Sequence, residues 1–387
     1  MSDHKKIKVM HFIDSDGVYG AERVILNLSD ELKKYPDLNV VVGCIVSDDN
    51  ETNALYDAAV ALDIEALRIP VRNSKLFFDL PRAAKLLKRH KIDLIHSHGY
   101  KPSVYGFIIK KLAGIQVMVT CHLWFEPKKG PLKMRVMVAL EKLFFRWYPL
   151  IVTVSEPIKQ TLVQHKIESD KIFVVENGVD ISNDEANDDL TLKNELGIAG
   201  DTFVITNVGR LSRQKAQSDL ISAAAQLKQH SENFVILIVG EGPLAESLQK
   251  QINKLGLEQQ VRLLGYRQDI KKLLTISNIF ALPSLDEGMP MAMLEATSVS
   301  VPVVTTAVGD IPKLIRDGES GLIVPVAEPA LLAKAIHTIW QSPDLAEKFA
   351  VSAYKKMSEQ YSNRVMGEKY SELYHRLLST SNTHQEL

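Results

Sequence analysis

Two glutamates beside a predicted helix start form the most specific chemical pattern in this 387-residue sequence. Glu287 and Glu295 are eight positions apart, and Gly288 and Pro290 lie between them. Glycine permits close backbone approach, and proline suits the first turn of a helix. The N–H groups and positive dipole end of that helix favour an anion. A loop carboxylate can hold sugar hydroxyls and a helical one a ribose diol; the alternative is two ordinary solvated glutamates.

A basic loop follows the apolar run at 202–208. Arg210 and Lys215 lie where a predicted strand ends and before a predicted helix. Two cations and a helix N-terminus can neutralise a diphosphate. The alternative is that both are solvated surface residues. Their position at the ligand-binding end of a strand favours the diphosphate site.

Three further segments accompany these two patterns: Gly20-Ala21-Glu22-Arg23-Val24, Asn177-Gly178-Val179-Asp180 and Val239-Gly240-Glu241-Gly242-Pro243. Together the five patterns resemble family 4 of the retaining GT-B glycosyltransferases (glycosyl transferases group 1), over residues 7–378. The resemblance implies two Rossmann-like domains facing across a cleft, with a C-terminal helix crossing back. It also implies sugar transfer from a nucleoside-diphosphate sugar with retention of anomeric configuration, without an obligatory metal or other cofactor.

The resemblance gives individual residues a role on the donor side. Arg210 and Lys215 would bind the donor diphosphate and stabilise the leaving group. Glu287 would contact the donor sugar, Glu295 the ribose hydroxyls, and His122 the sugar near the reaction centre. The other donor-binding candidates are Gly20 at the phosphates, the backbone of Gly288 and Met289 at the sugar, and Tyr266 and Arg267 beside the base.

Two departures from the family pattern concern loop geometry. Tyr19-Gly20 stands where the family often has two glycines, and Ala216 stands where a glycine usually follows the phosphate lysine. Neither change removes a charge. Tyr19 could narrow the phosphate loop or shape the acceptor side. Asp16 and His98 are the other acceptor-side candidates.

Two patterns suggest a metal, but less strongly. Asp14-Ser15-Asp16 could hold an ion on the diphosphate, although the two cations already supply the countercharge. His96-Ser97-His98 places two imidazoles on one side of a strand, and His122 could join them at zinc. Because no fourth ligand has a suitable spacing, we expect no metal. The histidines are interpreted as hydrogen-bonding or packed core residues.

One pattern suggests a nicotinamide enzyme. The run Gly240-Glu241-Gly242-Pro243-Leu244-Ala245 fits a dinucleotide fingerprint after a strand. It follows the second strand of its half, however, and the expected acidic residue would fall near Glu258, before a strand. A turn that supports the donor site is the favoured interpretation.

The predicted elements explain how distant residues could meet. Short β-branched runs alternate with amphipathic helices, which is typical of βαβ units and a parallel sheet. Strands are predicted at 7–13, 39–46, 64–69, 92–96, 116–121, 150–154 and 171–175, and again at 202–208, 234–239, 261–264, 278–282 and 302–304. Ligands of such sheets bind beyond the carboxyl ends of the strands, and nearly every pattern above follows a strand.

The domain prediction follows from the polar stretch at 181–191, interpreted as a linker. We expect an acceptor-binding Rossmann-like domain over 1–180 and a nucleotide-sugar-binding Rossmann-like domain over 181–360. A C-terminal helix over 361–387 would pack back on the first domain. From residue 328 onward the pattern predicts helices only.

Composition limits the class of protein. The chain has 46 Lys+Arg and 47 Asp+Glu, so its net charge of −1 does not indicate a nucleic-acid partner. Cys44 and Cys121 are too few for a disulfide scaffold and fit a reducing compartment. The first residues lack an apolar signal region, and no run approaches the ~18 residues of a membrane span. We expect a cytoplasmic protein.

The charge is nevertheless uneven. Residues 68–146 carry 17 Lys/Arg and 4 Asp/Glu, a net charge of +13. Such a stretch indicates an anionic membrane surface or acceptor, unless it only reflects solvated basic faces. A helix predicted near 132–147 either lies on an anionic membrane or packs as a core helix. Its apolar stripe consists of Leu132, Val136, Leu140, Leu143, Phe144 and Trp147.

We therefore expect a retaining glycosyltransferase that moves a UDP-linked hexose or N-acetylhexosamine to an acceptor hydroxyl. The expected acceptor is a bacterial cell-envelope polysaccharide or glycolipid, with the enzyme peripheral on the inner face of the cell membrane. The alternatives are transfer to a small soluble acceptor, a nucleotide-sugar epimerase and a non-catalytic sugar-nucleotide sensor. An epimerase needs an acid/base pair that is not evident, and the retained cations and glutamates disfavour a sensor.

Overall fold

The computed structural model describes residues 6–15, 17–18, 20–48, 50–122, 132–181 and 189–382. The chain forms two compact units. The first consists of Met1–Gly178 together with Asn363–Leu387, and the second of Val179–Ser362. The acceptor-side candidates Asp16 and Tyr19 lie outside the described residues. Within the described ranges, no helix is both long enough and apolar enough to cross a membrane.

The first unit is built on a seven-stranded sheet. Apolar runs form its central strands, because helices cover both faces of a parallel sheet. Gly43 leaves room between two side chains, since a Cβ on it would lie 2.7 Å from Met10 Sδ and 2.9 Å from Ile69 Cδ1. In sheet order the strands are β3 (Glu65–Pro70), β2 (Leu38–Val46), β1 (Ile7–Ile13), β4 (Leu94–His98), β5 (Gln116–Cys121), β6 (Ile151–Thr153) and β7 (Ile172–Val174).

Helices connect these strands. The order of the strands reverses between β1 and β4, and in doubly wound sheets ligands bind beyond the carboxyl ends of the strands at that reversal. The helices are α1 (Gly20–Leu32), α2 (Ala54–Ala61), α3 (Leu76–Arg89), α4 (Tyr100–Ala113), α5 (Leu132–Phe145) and α6 (Glu156–Gln164). Helix α4 packs between α3 and α5.

The second unit repeats the plan with a six-stranded sheet, whose order reverses between β8 and β11. In sheet order its strands are β10 (Val261–Gly265), β9 (Phe234–Val239), β8 (Phe203–Val208), β11 (Ile279–Leu282), β12 (Val303–Thr306) and β13 (Leu322–Val324). Its helices are α7 (Asp189–Glu195), α8 (Gln217–Leu227), α9 (Ala245–Lys254), α10 (Ile270–Thr275), α11 (Met291–Ser298), α12 (Ile311–Leu314), α13 (Pro329–Trp340) and α14 (Pro343–Gln360).

The last helix, α15 (Asn363–Asn382), belongs to the first unit and packs beside α1. Its buried tyrosines reach the sheet. The Tyr374 hydroxyl is 2.9 Å from His96 Nδ1, and the Tyr370 hydroxyl is 3.0 Å from Thr120 Oγ1. Lys369 adds an ion pair to Glu176 at 2.7 Å.

Helix α5 differs from the prediction for its apolar stripe. The interpretation of its apolar stripe as a core face is wrong for Val136, Leu143 and Trp147, which are exposed. The residues buried on the domain are Val138 and Phe145, followed by Tyr148, and two members of the predicted stripe, Leu140 and Phe144, pack partly buried beside them. The prediction is wrong because side chains three or seven positions apart lie on one face of a helix, and this helix has two apolar faces of that kind.

Candidate functional site

The basic loop at the carboxyl end of β8 is held by the loop that follows β9. The side chain of Leu211 is buried, and its backbone N–H donates to the Glu241 carbonyl at 2.9 Å. Gly240 and Gly242 allow this approach, because a Cβ on them would lie 2.1 Å from Gly209 O and 2.3 Å from Leu211 O. The glycines of the dinucleotide-like segment therefore support the basic loop.

The residues after Leu211 form a tight turn before α8. Arg213–Lys215 is a single 3₁₀ turn, and Ala216 then adopts the left-handed conformation with φ of 50°. A side chain there costs about 1 kcal/mol relative to glycine. This is the position at which the family usually has glycine, so the chain keeps the turn at a modest cost in strain.

The loop that carries Glu287 lies at the carboxyl end of β11, the strand beside β8 at the reversal. The Leu285 N–H donates to the Gln214 carbonyl at 2.8 Å, and the Gln214 side-chain amide donates to the Asp286 carbonyl at 2.8 Å. Gly309 approaches from the other side, since a Cβ on it would lie 2.0 Å from Glu287 O. The loops after β8 and β11 are thus joined where open α/β sheets bind ligands.

Lys215 and Glu287 form an ion pair between these loops. Lys215 Nζ is 2.5 Å from Glu287 Oε1, and Ser284 Oγ donates to the same oxygen at 2.7 Å. The two side chains are only 20% and 6% exposed, so water screens the pair far less than a surface pair. The carboxylate orients the ammonium group, which keeps two further N–H donors for an anion.

Arg210 is an exposed cation of the loop that carries Lys215. Its backbone is fixed, because the Gln217 side-chain amide donates to the Arg210 carbonyl at 3.1 Å. Among the described residues its guanidinium has no hydrogen-bond or ion-pair partner. A planar guanidinium with five donors suits the oxygens of a phosphate group.

The start of α11 completes this surface. Gly288 is exposed, whereas the side chain of Met289 is buried, so Met289 can offer only its backbone to a ligand. In the part of the chain that the structure describes, no hydrogen bond uses the backbone N–H of either residue. Glu295 is half-buried and lies about 6 Å further along the helix axis than Met291.

Four histidines gather in the first unit, at or beyond the strands β1, β4 and β5. His98 lies at the centre: its Nε2 is 3.0 Å from His11 Nδ1, and its Nδ1 is 2.9 Å from His122 Nε2. His96 instead contacts two hydroxyl groups. Burial lowers the pKa of all four, to about 3 for His11 and to about 4 for His122, so they are neutral at neutral pH.

Ring nitrogens of His11, His96 and His98 lie within 4.8 Å of one another, close enough to consider a metal. Both nitrogens of His96 and both nitrogens of His98 are already in hydrogen bonds. An ion shared by the three side chains would have to break these bonds. The cluster is therefore described better as a hydrogen-bonded network of neutral imidazoles.

A pocket of about 340 Å³ lies at the carboxyl ends of β1, β2 and β3. Its wall includes an ion pair between Lys101 and Asp14. The Tyr105 hydroxyl donates to Asn73 Oδ1 at 3.0 Å, and burial raises the Tyr105 pKa to about 12, so the phenol stays neutral. Asn53 donates to the Ser15 carbonyl at 2.8 Å. Hydroxyl, amide and carboxylate groups of this kind can bind the hydroxyls of a sugar.

Known proteins match both units. The family described as "Glycosyltransferase Family 4" matches residues 18–183, and that described as "Glycosyl transferases group 1" matches residues 188–356. The chain is 30% identical to the UDP-Gal:alpha-D-GlcNAc-diphosphoundecaprenol alpha-1,3-galactosyltransferase of Escherichia coli. The match runs over 335 residues and covers 84% of this chain and 85% of that protein.

This chain belongs to the family 4 glycosyltransferases.

Other similar proteins agree with this assignment. The glycosyltransferase is 25% identical over 307 residues to the alpha-maltose-1-phosphate synthase of Mycolicibacterium smegmatis, covering 73% of this chain and 79% of that one. Its fold matches the crystal structure of Anabaena Alr3699/HepE in complex with UDP and glucose with a TM-score of 0.80, at 23% identity, over 96% of this chain and 100% of that chain. The GT-B fold and the assignment as a glycosyltransferase, which the sequence patterns predicted, are confirmed.

The structure groups some predicted residues of the glycosyltransferase and separates others. Lys215 and Glu287 form an ion pair. Arg210 lies in the same loop as Lys215, and Gly288 and Met289 directly follow Glu287 in the chain. Tyr266 is exposed after β10, an edge strand two positions from β8. Arg267 next to it is bound to Asp269 through two hydrogen bonds of 2.8 and 2.5 Å, which keep the pKa of Asp269 low.

Gly20 is the first residue of α1, and its contact with the donor phosphates stays a prediction. One predicted residue of the first unit differs from expectation. His98 is buried with both ring nitrogens bonded to other histidines, so it offers no nitrogen to an acceptor. None of the sequence patterns indicated His11. The parallel register of β1 and β4, which places His11 opposite His96, could have indicated it.

Proposed function

We propose that the protein is a retaining glycosyltransferase that transfers a hexosyl or N-acetylhexosaminyl group from a UDP-sugar to a hydroxyl of a lipid-linked saccharide. The product would serve cell-envelope polysaccharide or glycolipid synthesis. The supporting observation is the grouping of Arg210 with the Lys215–Glu287 pair at the β8/β11 reversal. The printed name of the E. coli relative, with its UDP-Gal donor and diphosphoundecaprenol acceptor, supports the substrate classes.

In the proposed reaction the bond between the sugar C1 and the β-phosphate oxygen breaks, and its electron pair stays on the diphosphate. Arg210 and Lys215 provide fixed positive charge where this negative charge develops, which is usually the largest catalytic term. The acceptor oxygen bonds to C1 on the same face, and its proton passes to the leaving phosphate. Glu287 contacts the sugar and orients Lys215, while His122 binds the sugar near C1. Glu295 holds the ribose.

Arg210→Ala tests this assignment cleanly, because the side chain is exposed and no buried partner loses its charge. We expect kcat to fall by about 10² to 10³, with an unchanged melting temperature. The matched control is Arg213→Ala, an exposed arginine of the same loop, which should retain wild-type turnover. The assay follows UDP release and labelled-sugar transfer, with the anomeric configuration of the product determined by NMR.

The alternatives give different results in this assay. Full turnover of Arg210→Ala would contradict the diphosphate assignment. An inverted product would contradict retention. Sugar-nucleotide binding without transfer to any lipid-linked or soluble saccharide would favour the sensor, and interconversion of two UDP-sugars without an acceptor would favour the epimerase.

We further propose that the pocket at β1, β2 and β3 binds the acceptor saccharide. Its lining combines polar side chains from four chain segments, which include Asp14, Asn53, Asn73 and Lys101. Asn73→Ala should raise the KM for the acceptor without changing the KM for the donor. Ser74→Ala, an exposed neighbour outside the pocket lining, is the control. Equal effects of both variants, or an effect on the donor KM, would contradict the proposal.

We also propose that α3 and α5 bring the first unit to an anionic membrane. Phe77 and Phe78 at the start of α3 are 86% and 63% exposed, and Trp147 after α5 is 53% exposed. Phe77 and Phe78 lie within residues 68–146, whose net charge is +13, and Trp147 directly follows this stretch. Basic residues near an anionic surface contribute about 1 kcal/mol each. An exposed aromatic pair in a basic setting is typical of peripheral membrane contact.

Cosedimentation with vesicles tests the membrane proposal. Wild-type protein should bind phosphatidylglycerol vesicles and not phosphatidylcholine vesicles. The double variant Phe77→Ser/Phe78→Ser should lower the partition by at least about tenfold, because burying one phenylalanine contributes about 1.5 to 3 kcal/mol. Val60→Ser changes an exposed apolar residue of the same unit outside residues 68–146, and it should leave the partition to vesicles unchanged. Equal binding of the double variant would exclude α3 from the contact.

A further inference from the structure

Three imidazoles of the histidine network are hydrogen-bonded in a row. These hydrogen bonds indicate which ring nitrogen of each histidine carries the proton. His122 Nε2, His98 Nδ1, His98 Nε2 and His11 Nδ1 are linked in sequence. A neutral imidazole has one N–H donor and one acceptor nitrogen. Once the proton of one ring is placed, the tautomers of the other two follow, because each contact needs one donor and one acceptor.

The buried end of the chain sets its direction. His11 is fully buried, and its Nε2 has no hydrogen-bond partner among the described residues. A buried N–H without an acceptor is rarer and less favourable than an unused acceptor nitrogen. The proton of His11 therefore lies on Nδ1 and is donated to His98 Nε2. His98 must then carry its proton on Nδ1 and donate it to His122 Nε2.

We propose that His11 and His98 are positioning residues that fix His122 in the Nδ1–H tautomer. The inference rests on the proposed function, in which His122 binds the donor sugar near C1. Because His122 Nε2 accepts the hydrogen bond from His98, the ring presents Nδ1–H as a donor. The sugar oxygen that it binds therefore accepts this hydrogen bond. The fixed tautomer also keeps His122 from removing the acceptor proton, which agrees with proton transfer to the leaving phosphate.

The tautomers can be measured on the whole protein without substrate. Long-range ¹H–¹⁵N NMR of the ¹⁵N-histidine-labelled chain at pH 7.5 distinguishes Nδ1–H, Nε2–H and the imidazolium form, and single His→Gln variants assign the signals. We expect Nδ1–H for His11, His98 and His122, unchanged by EDTA. An Nε2–H signal for His122, an imidazolium form, or a spectrum altered by EDTA would overturn the proposal. None of these results depends on activity, so they are separate from failure of the proposed function.

A matched pair of substitutions tests the consequence for catalysis. In His98→Asn the amide nitrogen can occupy the position of Nδ1 and still donate to His122, whereas His98→Gln places its amide toward His11. We expect kcat to fall by about 10- to 100-fold in His98→Gln, with His122 now a mixture of tautomers and the donor KM little changed. His98→Asn should exceed His98→Gln in kcat by at least about tenfold and keep the Nδ1–H signal of His122. If kcat fell equally in both variants and the NMR signal of His122 stayed unchanged, His98 would act only through packing, and the proposal would be contradicted.

Discussion

Lys215 pairs with Glu287 among the residues that the structure describes and, in the proposed reaction, also binds the diphosphate. Glu287 holds the ammonium group at 2.5 Å before any donor binds. A flexible four-carbon side chain is thus ordered in advance, and this lowers the entropy that donor binding must still remove. The low exposure of the two side chains makes the arrangement sensitive to the loss of either charge.

A double-mutant cycle measures this dependence. Lys215→Met and Glu287→Gln should each lower the free energy of unfolding by about 3 kcal/mol, because each leaves a buried charge unpaired. The double variant should lose clearly less than the sum. The exposed pair Lys250–Glu246 is the control, and its cycle should give less than about 1 kcal/mol. Strict additivity at Lys215 and Glu287, measured by urea denaturation, would contradict the buried pair.

The histidine network predicts how stability depends on pH. His11 and His122 have their pKa lowered to about 3 and about 4, whereas the unfolded side chains titrate near 6.5. Below pH 6.5 the unfolded chain therefore binds more protons than the folded one. The free energy of unfolding should fall as pH falls from 6.5 to about 4, by up to ~1.4 kcal/mol per pH unit for each buried histidine.

Urea denaturation at several pH values between 7.5 and 4.5 tests this expectation. His11→Leu should reduce the slope below pH 6.5, because one buried imidazole is removed. His165→Leu removes an exposed histidine and should leave the slope unchanged. Parallel curves for His11→Leu and the wild type would mean that His11 does not take part.

At the residue scale, the sequence patterns indicated which side chains are candidates for the donor site, but not which of these side chains contact one another. Arg210, Lys215 and Glu287 were identified because each follows a strand, and parallel strands end at one edge of a sheet. The contact between Lys215 and Glu287 joins residues 72 positions apart, so it depends on β8 lying beside β11. The link from His98 to His11 depends in the same way on strand register, which a single sequence leaves open.

At the scale of elements, most strands were predicted to within about two residues, and some elements were missed. The strand predicted at 234–239 coincides with β9, because six buried residues leave little ambiguity. The three-residue strand β13 and the helix α6 were missed, since so few residues show no clear period. The linker prediction over 181–191 is wrong at its end, where α7 begins at Asp189.

The packing of one loop on another predicts an effect of Gly242 on the donor site. Gly242→Ala should push the β9 loop away from Leu211 O, since a Cβ would lie 2.3 Å from that oxygen. We expect a stability loss of about 1 to 3 kcal/mol together with a higher KM for the donor, because the Arg210 backbone moves with the loop. Gly200→Ala is the control, as nothing lies near its Cβ position. A stable variant with an unchanged donor KM would show that the loops are independent.

At the scale of the whole molecule, one unit is continuous in sequence and the other is not. The chain leaves the first unit after Gly178 and returns to it at Asn363. The two crossing segments lie side by side, since Val179 pairs with Ser362 and its N–H donates to the Tyr361 carbonyl at 2.9 Å. Helix α15 then supplies Tyr370 and Tyr374 to the sheet of the first unit.

Deletion of residues 363–387 should therefore damage the first unit more than the second. The buried groups His96 Nδ1 and Thr120 Oγ1 lose their tyrosine partners, and the surface of α1 that α15 covers becomes exposed. Amide hydrogen exchange of the truncated chain should show lost protection in β1, β4 and β5 and retained protection in β8, β9 and β11. Wild-type protection of β4 in the truncated chain would contradict a structural need for α15.

The position of α15 in the sequence also has a consequence for synthesis. A ribosome that adds about 5 to 20 residues per second needs roughly 10 to 40 s to proceed from Gly178 to Tyr370. During that interval the strands that carry His96 and Thr120 have already emerged, while the helix that seals them has not yet been made. All of the second unit, Val179–Ser362, is synthesised in this interval. The first unit is thus completed only after the second has been made, and the nascent protein exposes an apolar surface to chaperones until α15 has been synthesised.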